Sequence, residues 1–365
     1  NLPTGRNGKE VRNGETNMAA KRQGSVQIRQ IAEALGVSVG TVSIVLNGRG
    51  DVMRISKETQ KRVRDMAKEM NYQPNIYARR LRSAAHEKAG RVIAVLWNSA
   101  YSDLMMGQFF RGLHEYQKKH DCKMEFYVQM FENDKLNEMQ ALLTPLRFSA
   151  VIICGISDQD SEFLNNTQFD LPILVLFRSE ERYHCIYGDD YAVGGSIARL
   201  FSNHGHKKVG LIGCSRKGRS GSMRMMGFLE ACEREGLRIK PQWHIEKQER
   251  NCGAGYAAMQ EILRQEERPT AIFSASNEQA LGIVIACREA EVRIPEDMEL
   301  IVYGDNDAFA YFSPSISAVY LSLEKVAEAS AELLEMVMNN AITLPMARIM
   351  QAEYAFRDSC AGVAD

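Results

Sequence analysis

The segment IRQIAEALGVSVGTVSIVLN, residues 28–47, decides the fold of the N-terminal part of this chain. Apolar residues recur at helical spacing on both sides of Gly36, and Ala32 is small enough to let two helices cross closely. Gly36 can take the left-handed conformation that a tight turn needs, and Ser38 can cap the second helix. The segment therefore predicts a helix-turn-helix, which presents the start of its second helix to the major groove of DNA.

Two further features follow this motif. The sequence SKETQKRVRDMAKEM predicts a third helix capped by Ser56, and Pro74 separates it from the segment NIYARRLRS. That segment places Leu81 among three arginines. A lone apolar residue in such a setting can act as a wedge between base pairs in the minor groove while the arginines contact phosphates. Alternatively, Leu81 docks on a neighbouring helix.

The net charge of −1 over 365 residues conceals an asymmetry. Residues 18–90 carry 14 Lys and Arg against 6 Asp and Glu, whereas residues 91–365 carry 28 against 38. A short basic module is thus joined to a large acidic one. This distribution indicates a polyanionic partner for the first module alone.

The composition and the motifs exclude several classes of protein. With 45% hydrophobic and 25% charged residues the chain is typical of globular proteins. We see no membrane span and no secretory signal in the sequence. The eight cysteines are scattered without a Cys-x-x-Cys pair, which indicates free thiols. We therefore expect a cytoplasmic protein without a membrane partner. We also find no P-loop, His-Glu-x-x-His or Gly-x-Ser-x-Gly motif, so we expect neither an enzyme nor a bound cofactor.

From residue 91 onward, short β-rich runs alternate with amphipathic stretches. This alternation is typical of βαβ units with parallel sheets that are buried on both faces. Roughly 270 residues exceed one usual doubly wound domain, so we expect two similar lobes. The predicted strands are RVIAVLW, KMEFYVQM, AVIICGI, PILVLFR, VGLIGC, AIFSAS and MELIVYG.

These motifs together resemble one known family. IAEALGVSVGTVSIVLN, the helix led by Ser56 and NYQPNIYARRL are similar to the headpiece and hinge of the LacI/GalR (lactose-repressor) family of bacterial transcription regulators. GDDYAVGGSIARLFSNHGHKKVGLIG, the Arg-x-x-Gly-Phe pattern that starts at Arg224, PTAIFSASNEQALG and VRIPEDMELIVYGDND resemble the family's effector domain. The resemblance implies an all-α helix-turn-helix headpiece with a hinge helix, followed by a two-lobed α/β domain like that of periplasmic binding proteins, with parallel doubly wound sheets.

The predicted domain boundaries follow from these patterns. They are a disordered tail at 1–24, the helix-turn-helix domain at 25–73, the hinge helix and linker at 74–90, and the two-lobed effector-binding and dimerisation domain at 91–358, in which lobe one comprises about 91–188 and 321–344 and lobe two about 189–320 and 345–358.

The resemblance also implies which residues contact DNA. In the family, the paired hinge helices of a dimer each push a leucine into the centre of a palindromic operator, and Leu81 matches that leucine. Val39 and Ile44 can touch thymine methyl groups but offer no hydrogen bonds to bases, so specificity should rest more on Leu81 and on DNA deformability. The candidate DNA-binding residues are Val39, Gly40, Thr41, Ser43, Ile44, Asn47, Arg79, Arg80 and Leu81.

The loop 48–54 is about three residues longer than is usual in the family. It carries Arg49 and Arg54, which either add phosphate contacts or are solvated.

In a two-lobed α/β domain the ligand binds at the carboxyl ends of the strands, and the lobes close around it. The family often has Asn-Pro-Phe-Phe where this chain has residues 103–106, so the usual stacking surface for a sugar ring is lost. By resemblance, Arg178, Arg224 and Asp305 match effector-contacting positions and suit the hydroxyls or carboxylate of a small polar molecule. Each could instead form a surface or lobe-bridging salt bridge. The candidate effector-binding residues are Asp103, Met105, Met106, Arg178, Arg224, Asn277 and Asp305.

His204 and His206 have the spacing of a metal-binding pair, but we see no third ligand nearby in the sequence, so we expect a structural role and no metal site.

The sequence therefore predicts a homodimeric, operator-binding transcription regulator, with repression as the family default. Its expected partners are a palindromic double-stranded DNA operator and a small-molecule effector of the sugar or sugar-derivative class. The alternatives are a solute-binding protein of the same fold, used for ligand capture, and an enzyme built on that fold.

Overall fold

The computed structural model describes residues 28–46, 50–51, 53–70, 91–145, 147–214 and 218–362. The chain forms two compact units, Asn1–Ala89 and Gly90–Asp365. The predicted tail, the predicted hinge helix, and the candidates Asn47, Arg79, Arg80 and Leu81 lie outside the described residues.

The first unit contains three helices, α1 (Ile28–Leu35), α2 (Val39–Leu46) and α3 (Lys57–Glu69). Gly36, between α1 and α2, has a φ of 65°, and the two helices form an angle of 113°. The Ser38 hydroxyl accepts a hydrogen bond from the Thr41 amide at 3.0 Å, and Ser56 accepts one from the Thr59 amide at 3.2 Å. The helix-turn-helix and both predicted caps are confirmed. The core consists of Ile31, Ala32, Val42, Val45, Val63 and Ala67.

The loop before α3 is anchored by a residue that the sequence did not single out. Gln60 is 2% exposed and donates to the Asp51 carboxylate at 2.8 Å and to the Ile55 carbonyl at 2.9 Å. Asp51 also pairs with Lys57 at 2.7 Å. The described part of the loop is therefore held against α3, and Arg54 lies exposed on it.

The second unit begins with a lobe built on a sheet of order β11-β5-β4-β3-β1-β2, in which all the paired strands are parallel. Its strands are β1 (Arg91–Asn98), β2 (Met124–Phe131), β3 (Ala150–Cys154), β4 (Ile173–Leu176), β5 (His184–Gly188) and β11 (Ala347–Met350). The helices α4 (Asp103–His120), α5 (Asp158–Asn166) and α10 (Leu323–Met338) accompany it, with a 3-10 helix at Leu136–Leu142. Strands β3 and β4 are buried throughout, because a hydrophobic core covers each face of the sheet.

The other lobe has the sheet order β12-β10-β9-β8-β6-β7, in which only β12 is antiparallel to its neighbour. Its strands are β6 (Val209–Cys214), β7 (His244–Lys247), β8 (Ala271–Ser274), β9 (Glu299–Tyr303), β10 (Ser317–Tyr320) and β12 (Glu353–Ala355). Its α-helices are α6 (Asp190–Asn203), α7 (Arg219–Arg234), α8 (Cys252–Leu263) and α9 (Ala280–Glu289), and 3-10 helices lie at Pro241–Trp243, Asn277–Gln279 and Asp307–Tyr311. The two predicted lobes with parallel, doubly wound sheets are confirmed.

One predicted boundary is wrong. The sequence pattern places 345–358 in the second lobe, but β11 pairs with β5 in the first sheet. The chain therefore returns to the second lobe only after Met350, where β12 pairs with β10. The pattern missed β11 because its residues are largely exposed, as expected for a strand at the edge of a sheet.

Among the described residues, no single helix is long and apolar enough to cross a membrane. Only α1 and α2 taken together reach the required length and apolar composition, and they are bent by 113° relative to each other.

Candidate functional site

A cavity of about 360 Å³ lies between the two lobes of the second unit. Its volume is within the usual range of small-molecule sites, and residues that follow the carboxyl ends of strands from both sheets line it. Of the predicted effector residues, Met105, Arg178, Arg224, Asn277 and Asp305 are on this lining.

Arg224 is held rigidly at the wall of the cavity. Helices α6 and α7 cross so closely that a Cβ at Gly227 would lie 2.1 Å from the Tyr191 carbonyl oxygen, which explains the glycine in the Arg-x-x-Gly-Phe pattern. The crossing lets the Arg224 guanidinium donate to Asp190 at 2.6 Å and to the Ala275 carbonyl at 3.1 Å. The guanidinium carbon of Arg224 also lies 3.0 Å from the centroid of the Tyr303 ring. Arg224 is therefore part of a salt bridge within the second lobe.

Asp305 follows β9 after Gly304 and is likewise paired within the second lobe. The Arg357 guanidinium donates to both of its carboxylate oxygens at 2.9 Å. This bidentate geometry fixes the orientation of the carboxylate. The Asn277 side chain lies against Gly304 and donates to the Asp305 carbonyl at 3.5 Å.

Arg178 follows β4 and belongs to a polar network of the first lobe. It donates to Glu180 at 2.7 Å and to Asp158 at 2.7 Å. Glu180 is 8% exposed and also accepts from Ser161 and Asn165. Both carboxylates that pair with Arg178 are in its own lobe, so this salt bridge does not join the lobes.

Two of the predicted effector residues, Asp103 and Met106, do not line the cavity. Asp103 is exposed at the start of α4, and Met106 packs against the core of the first lobe. The helix turns by about 100° per residue, so Leu104, Met105 and Gln108 share the side that faces the cavity, and their neighbours point elsewhere.

Aromatic rings do line the cavity, although from positions that the sequence analysis did not consider. Tyr101 and Phe177 stack with centroids 5.6 Å apart and planes inclined by 17°. Both follow strands of the first sheet, so their position at the carboxyl ends of β1 and β4 was the signal that could have identified them. The aromatic surface lost at 103–106 is therefore replaced from adjacent segments.

Two tyrosines of the cavity remain protonated over a wide pH range. Burial raises the pKa of Tyr101 to about 12. Burial also raises the pKa of Tyr303 to about 12, although the Arg224 charge opposes the increase. Both phenols therefore keep their O–H group at neutral pH and can act as donors to a ligand.

Among the described residues, two hydrogen bonds cross from lobe to lobe beside the cavity, and Lys325 of α10 in the first lobe also pairs with Glu353 of β12 in the second at 3.0 Å. Ser220 of α7 donates to the Phe177 carbonyl at 3.1 Å, and Arg250 donates to the Ala100 carbonyl. These contacts hold the lobes together at the cleft, so a change in lobe separation must break them.

The first unit presents a separate surface. On α2, Val39 is 47% exposed and Gly40 is also exposed, whereas Thr41, Ser43 and Ile44 are half-buried. The hydroxyl of Thr41 lies 2.8 Å from that of Ser38, so it also supports the helix cap. The start of α2 therefore exposes the apolar side chain of Val39, and Gly40 beside it leaves a gap in this surface because it has no side chain.

Two family profiles match the chain in the order in which these units occur. The profile described as "Bacterial regulatory proteins, lacI family" matches residues 27–75, and the one described as "Periplasmic binding protein-like domain" matches residues 198–360. The chain therefore contains a LacI-type helix-turn-helix region followed by a periplasmic-binding-protein-like domain.

Curated relatives of this chain are repressors. The HTH-type transcriptional repressor PurR of Pasteurella multocida (strain Pm70) is 27% identical over 312 residues, which cover 84% of this chain and 90% of PurR. A LacI family transcription regulator from Clostridium acetobutylicum superposes with a TM-score of 0.70 at 25% identity, covering 73% of this chain and 99% of that one. The lac repressor dimer bound to operator and the anti-inducer ONPF has a TM-score of 0.66 at 20% identity, covering 93% and 100%.

Proposed function

We propose that this chain is a homodimeric transcriptional repressor of the LacI family that binds a palindromic operator and responds to a small polar effector in the interlobe cavity. The observation that carries the proposal is the presence, on one chain, of a helix-turn-helix with an exposed α2 edge and a two-lobed unit with a polar cavity. A solute-binding protein would have no use for the first of these units, and the PurR relative is a named repressor.

The effector class follows from what surrounds the cavity. The stacked Tyr101 and Phe177 offer a flat apolar wall, while Arg178, Arg224 and Asp305 offer fixed charges that suit hydroxyl or carboxylate groups. Because each charge is already neutralised by a partner within its own lobe, a ligand does not have to supply a matching charge. We therefore infer a small polyhydroxylated molecule, with a sugar or sugar acid as the leading class.

Regulation requires that the effector bind one lobe arrangement better than the other, because otherwise it shifts no equilibrium. The hydrogen bonds from Ser220 and Arg250 between the lobes are among the contacts whose making or breaking would differ between the two arrangements.

The test uses the full chain and two measurements. A thermal-shift screen with sugars, sugar acids, purines and amino acids identifies the effector, since a ligand of the folded state raises the melting temperature. Operator binding, by fluorescence anisotropy on palindromic fragments selected from a random pool, is then measured with and without the hit. We expect affinity to fall steeply with salt and to change at least about tenfold with effector, as for a coupling free energy near 1.4 kcal/mol. Binding to DNA without sequence preference or salt dependence would refute the proposal.

A further inference from the structure

A cluster of potential metal ligands lies at the end of the second lobe opposite the cavity. Glu299 is the first residue of β9, whereas Tyr303 at the other end of that strand lines the cavity. His204 caps the C-terminus of α6, and His206 follows it after Gly205, which has a φ of 82°. Cys360 lies on the C-terminal segment, which packs against the same sheet end. Three separate parts of the chain therefore meet at this point.

The donor atoms of the cluster converge on one carboxylate oxygen. Glu299 Oε2 is 2.8 Å from His204 Nδ1, 3.3 Å from His206 Nε2 and 3.3 Å from Cys360 Sγ. The donor atoms of His204, Glu299 and Cys360 all lie within 4.8 Å of one another. In a tetrahedral zinc site with bonds near 2.1 Å, neighbouring donor atoms are about 3.4 Å apart. Movements of about an ångström would therefore let the atoms of these three residues surround one ion, whereas His206, which lies outside the 4.8 Å group, would have to move further to join them.

His206 adds an independent indication. Its Nδ1 lies 2.8 Å from the Thr270 hydroxyl, which itself donates to the Lys208 carbonyl at 3.2 Å, so the hydroxyl oxygen accepts the Nδ1 proton. In a neutral imidazole this leaves a lone pair on Nε2. That nitrogen is buried and has no hydrogen-bond partner, and it faces the Glu299 carboxylate. A cation between His206 Nε2 and the Glu299 carboxylate would provide a partner for both groups. A hydrogen bond from the second ring nitrogen, such as that of His206 Nδ1 to Thr270, is typical of metal-bound histidines.

We propose that His204, Glu299 and Cys360 bind one divalent zinc-like ion, with His206 as the fourth ligand. Two nitrogens, one carboxylate oxygen and one thiolate sulfur suit a borderline-soft ion such as Zn²⁺ better than the hard ions Mg²⁺ or Ca²⁺. On binding, the Cys360 thiol loses its proton to solvent, and the resulting thiolate and the Glu299 carboxylate together balance the two positive charges of the ion.

The surroundings allow such an ion to enter and to remain. The side chains of His204 and His206 are each 15% exposed and that of Glu299 is 17% exposed, so the site opens to solvent, while Cys360 is fully buried beneath it.

The consequence of binding would be structural. The ion would tie the C-terminal segment to α6 and β9, and three residues before Cys360 the same segment supplies Arg357, which holds Asp305 at the cavity. The geometry thus links the metal cluster at one end of the lobe to the cavity wall at the other.

The test titrates untagged full-length protein, freed of metal by chelation, with Zn²⁺ and Co²⁺. We expect one equivalent of Zn²⁺ per chain and a rise in melting temperature with Zn²⁺ concentration. With Co²⁺ we expect the visible bands of a tetrahedral site and a thiolate-to-cobalt charge-transfer band. Cys360→Ser should abolish the charge-transfer band, whereas Cys232→Ser, in the same hydrophobic core but away from the cluster, should keep it.

Two further variants separate metal binding from folding. Thr270→Val leaves all four proposed ligands in place but removes the partner of His206 Nδ1, and we expect it to weaken Zn²⁺ binding about 10- to 100-fold. Glu299→Gln keeps the side-chain volume and should lower the stoichiometry while the metal-free protein retains its circular dichroism. The absence of stoichiometric Zn²⁺ binding by the folded wild-type chain, or a charge-transfer band that survives Cys360→Ser, would overturn the proposal. Neither result bears on operator binding.

Discussion

Replacement of Arg224 by Met should strongly destabilise the second unit of the chain. The substitution keeps most of the side-chain volume and removes the charge. It leaves Asp190, whose side chain is 14% exposed, without its 2.6 Å partner, and it leaves the Ala275 carbonyl without a donor from Arg224. Loss of one partner of a buried ion pair costs about 3–5 kcal/mol.

Two structural features adjust this magnitude. Asp190 is the first residue of α6, and the helix dipole there stabilises a carboxylate by roughly 0.3–1 kcal/mol, which offsets part of the loss. Loss of the contact between the guanidinium and the Tyr303 ring adds about 0.5–2 kcal/mol to the destabilisation. We therefore expect a loss of about 2.5–6.7 kcal/mol, or a decrease in melting temperature of roughly 5–27 °C for a unit of this size.

The assay is urea unfolding of the full chain followed by tryptophan fluorescence. The sequence contains two tryptophans, Trp97 and Trp243, and both are fully buried in the second unit, so the signal reports on that unit alone. Arg293→Met serves as the control, because that arginine is 69% exposed and pairs with Asp297 at the surface, and it should cost less than about 1 kcal/mol.

A double-mutant cycle with Asp190→Asn isolates the interaction. The coupling free energy between the two positions should exceed about 1 kcal/mol, since the two side chains are in direct contact. If Arg224→Met moved the unfolding midpoint no further than Arg293→Met does, the ion pair would not stabilise the lobe, and our account of the cavity wall would be wrong.

Three other substitutions test separate parts of the account. Gly40→Ala should stabilise the first unit by about 0.5–1 kcal/mol, because a Cβ at this position would meet only Ser38 Oγ, at 3.5 Å. The same substitution should weaken operator binding if DNA approaches the helix closely at Gly40, and unchanged affinity would exclude that approach. Gly227→Ala should destabilise the second unit by about 1–3 kcal/mol or more, whereas Gly221→Ala on the same helix, with nothing within 4 Å, should be neutral or stabilising, and equal effects in urea unfolding would contradict the close helix crossing. Leu81→Ala should reduce specific binding and DNA bending and leave salt-sensitive, non-specific binding nearly intact, whereas an equal loss on random DNA would show that Leu81 only supports the fold.

Much of the fold was predictable because its signals are local. The turn at Gly36, the caps Ser38 and Ser56, and the fully buried strands of both sheets each depend on a few consecutive residues, and the structure contains all of them. The short strands β5, β7, β10, β11 and β12 were not predicted, because three to five residues at or near a sheet edge carry little hydrophobic pattern. Their pairing depends on neighbours that are distant in the sequence.

The candidate site was predictable only as a location. The rule that ligands bind at the carboxyl ends of strands gave the location, the family resemblance pointed to Arg178, Arg224 and Asp305, and all three line the cavity. The same reasoning could not place Asp103 and Met106 relative to the cavity, because the choice between adjacent helical positions depends on how α4 is rotated about its axis. Packing against the core of the first lobe fixes that rotation.

By itself the sequence determined that a basic helix-turn-helix precedes an acidic, two-lobed α/β unit, since charge, helical periodicity and turn residues are properties of short segments. The tertiary structure decided which side chains meet. It paired Arg224 with Asp190, paired Asp305 with Arg357, and brought His204 together with Glu299 and Cys360, which are 95 and 156 positions further along the chain. Contacts of this kind depend on how helices and strands pack, and no spacing within a single segment can specify them.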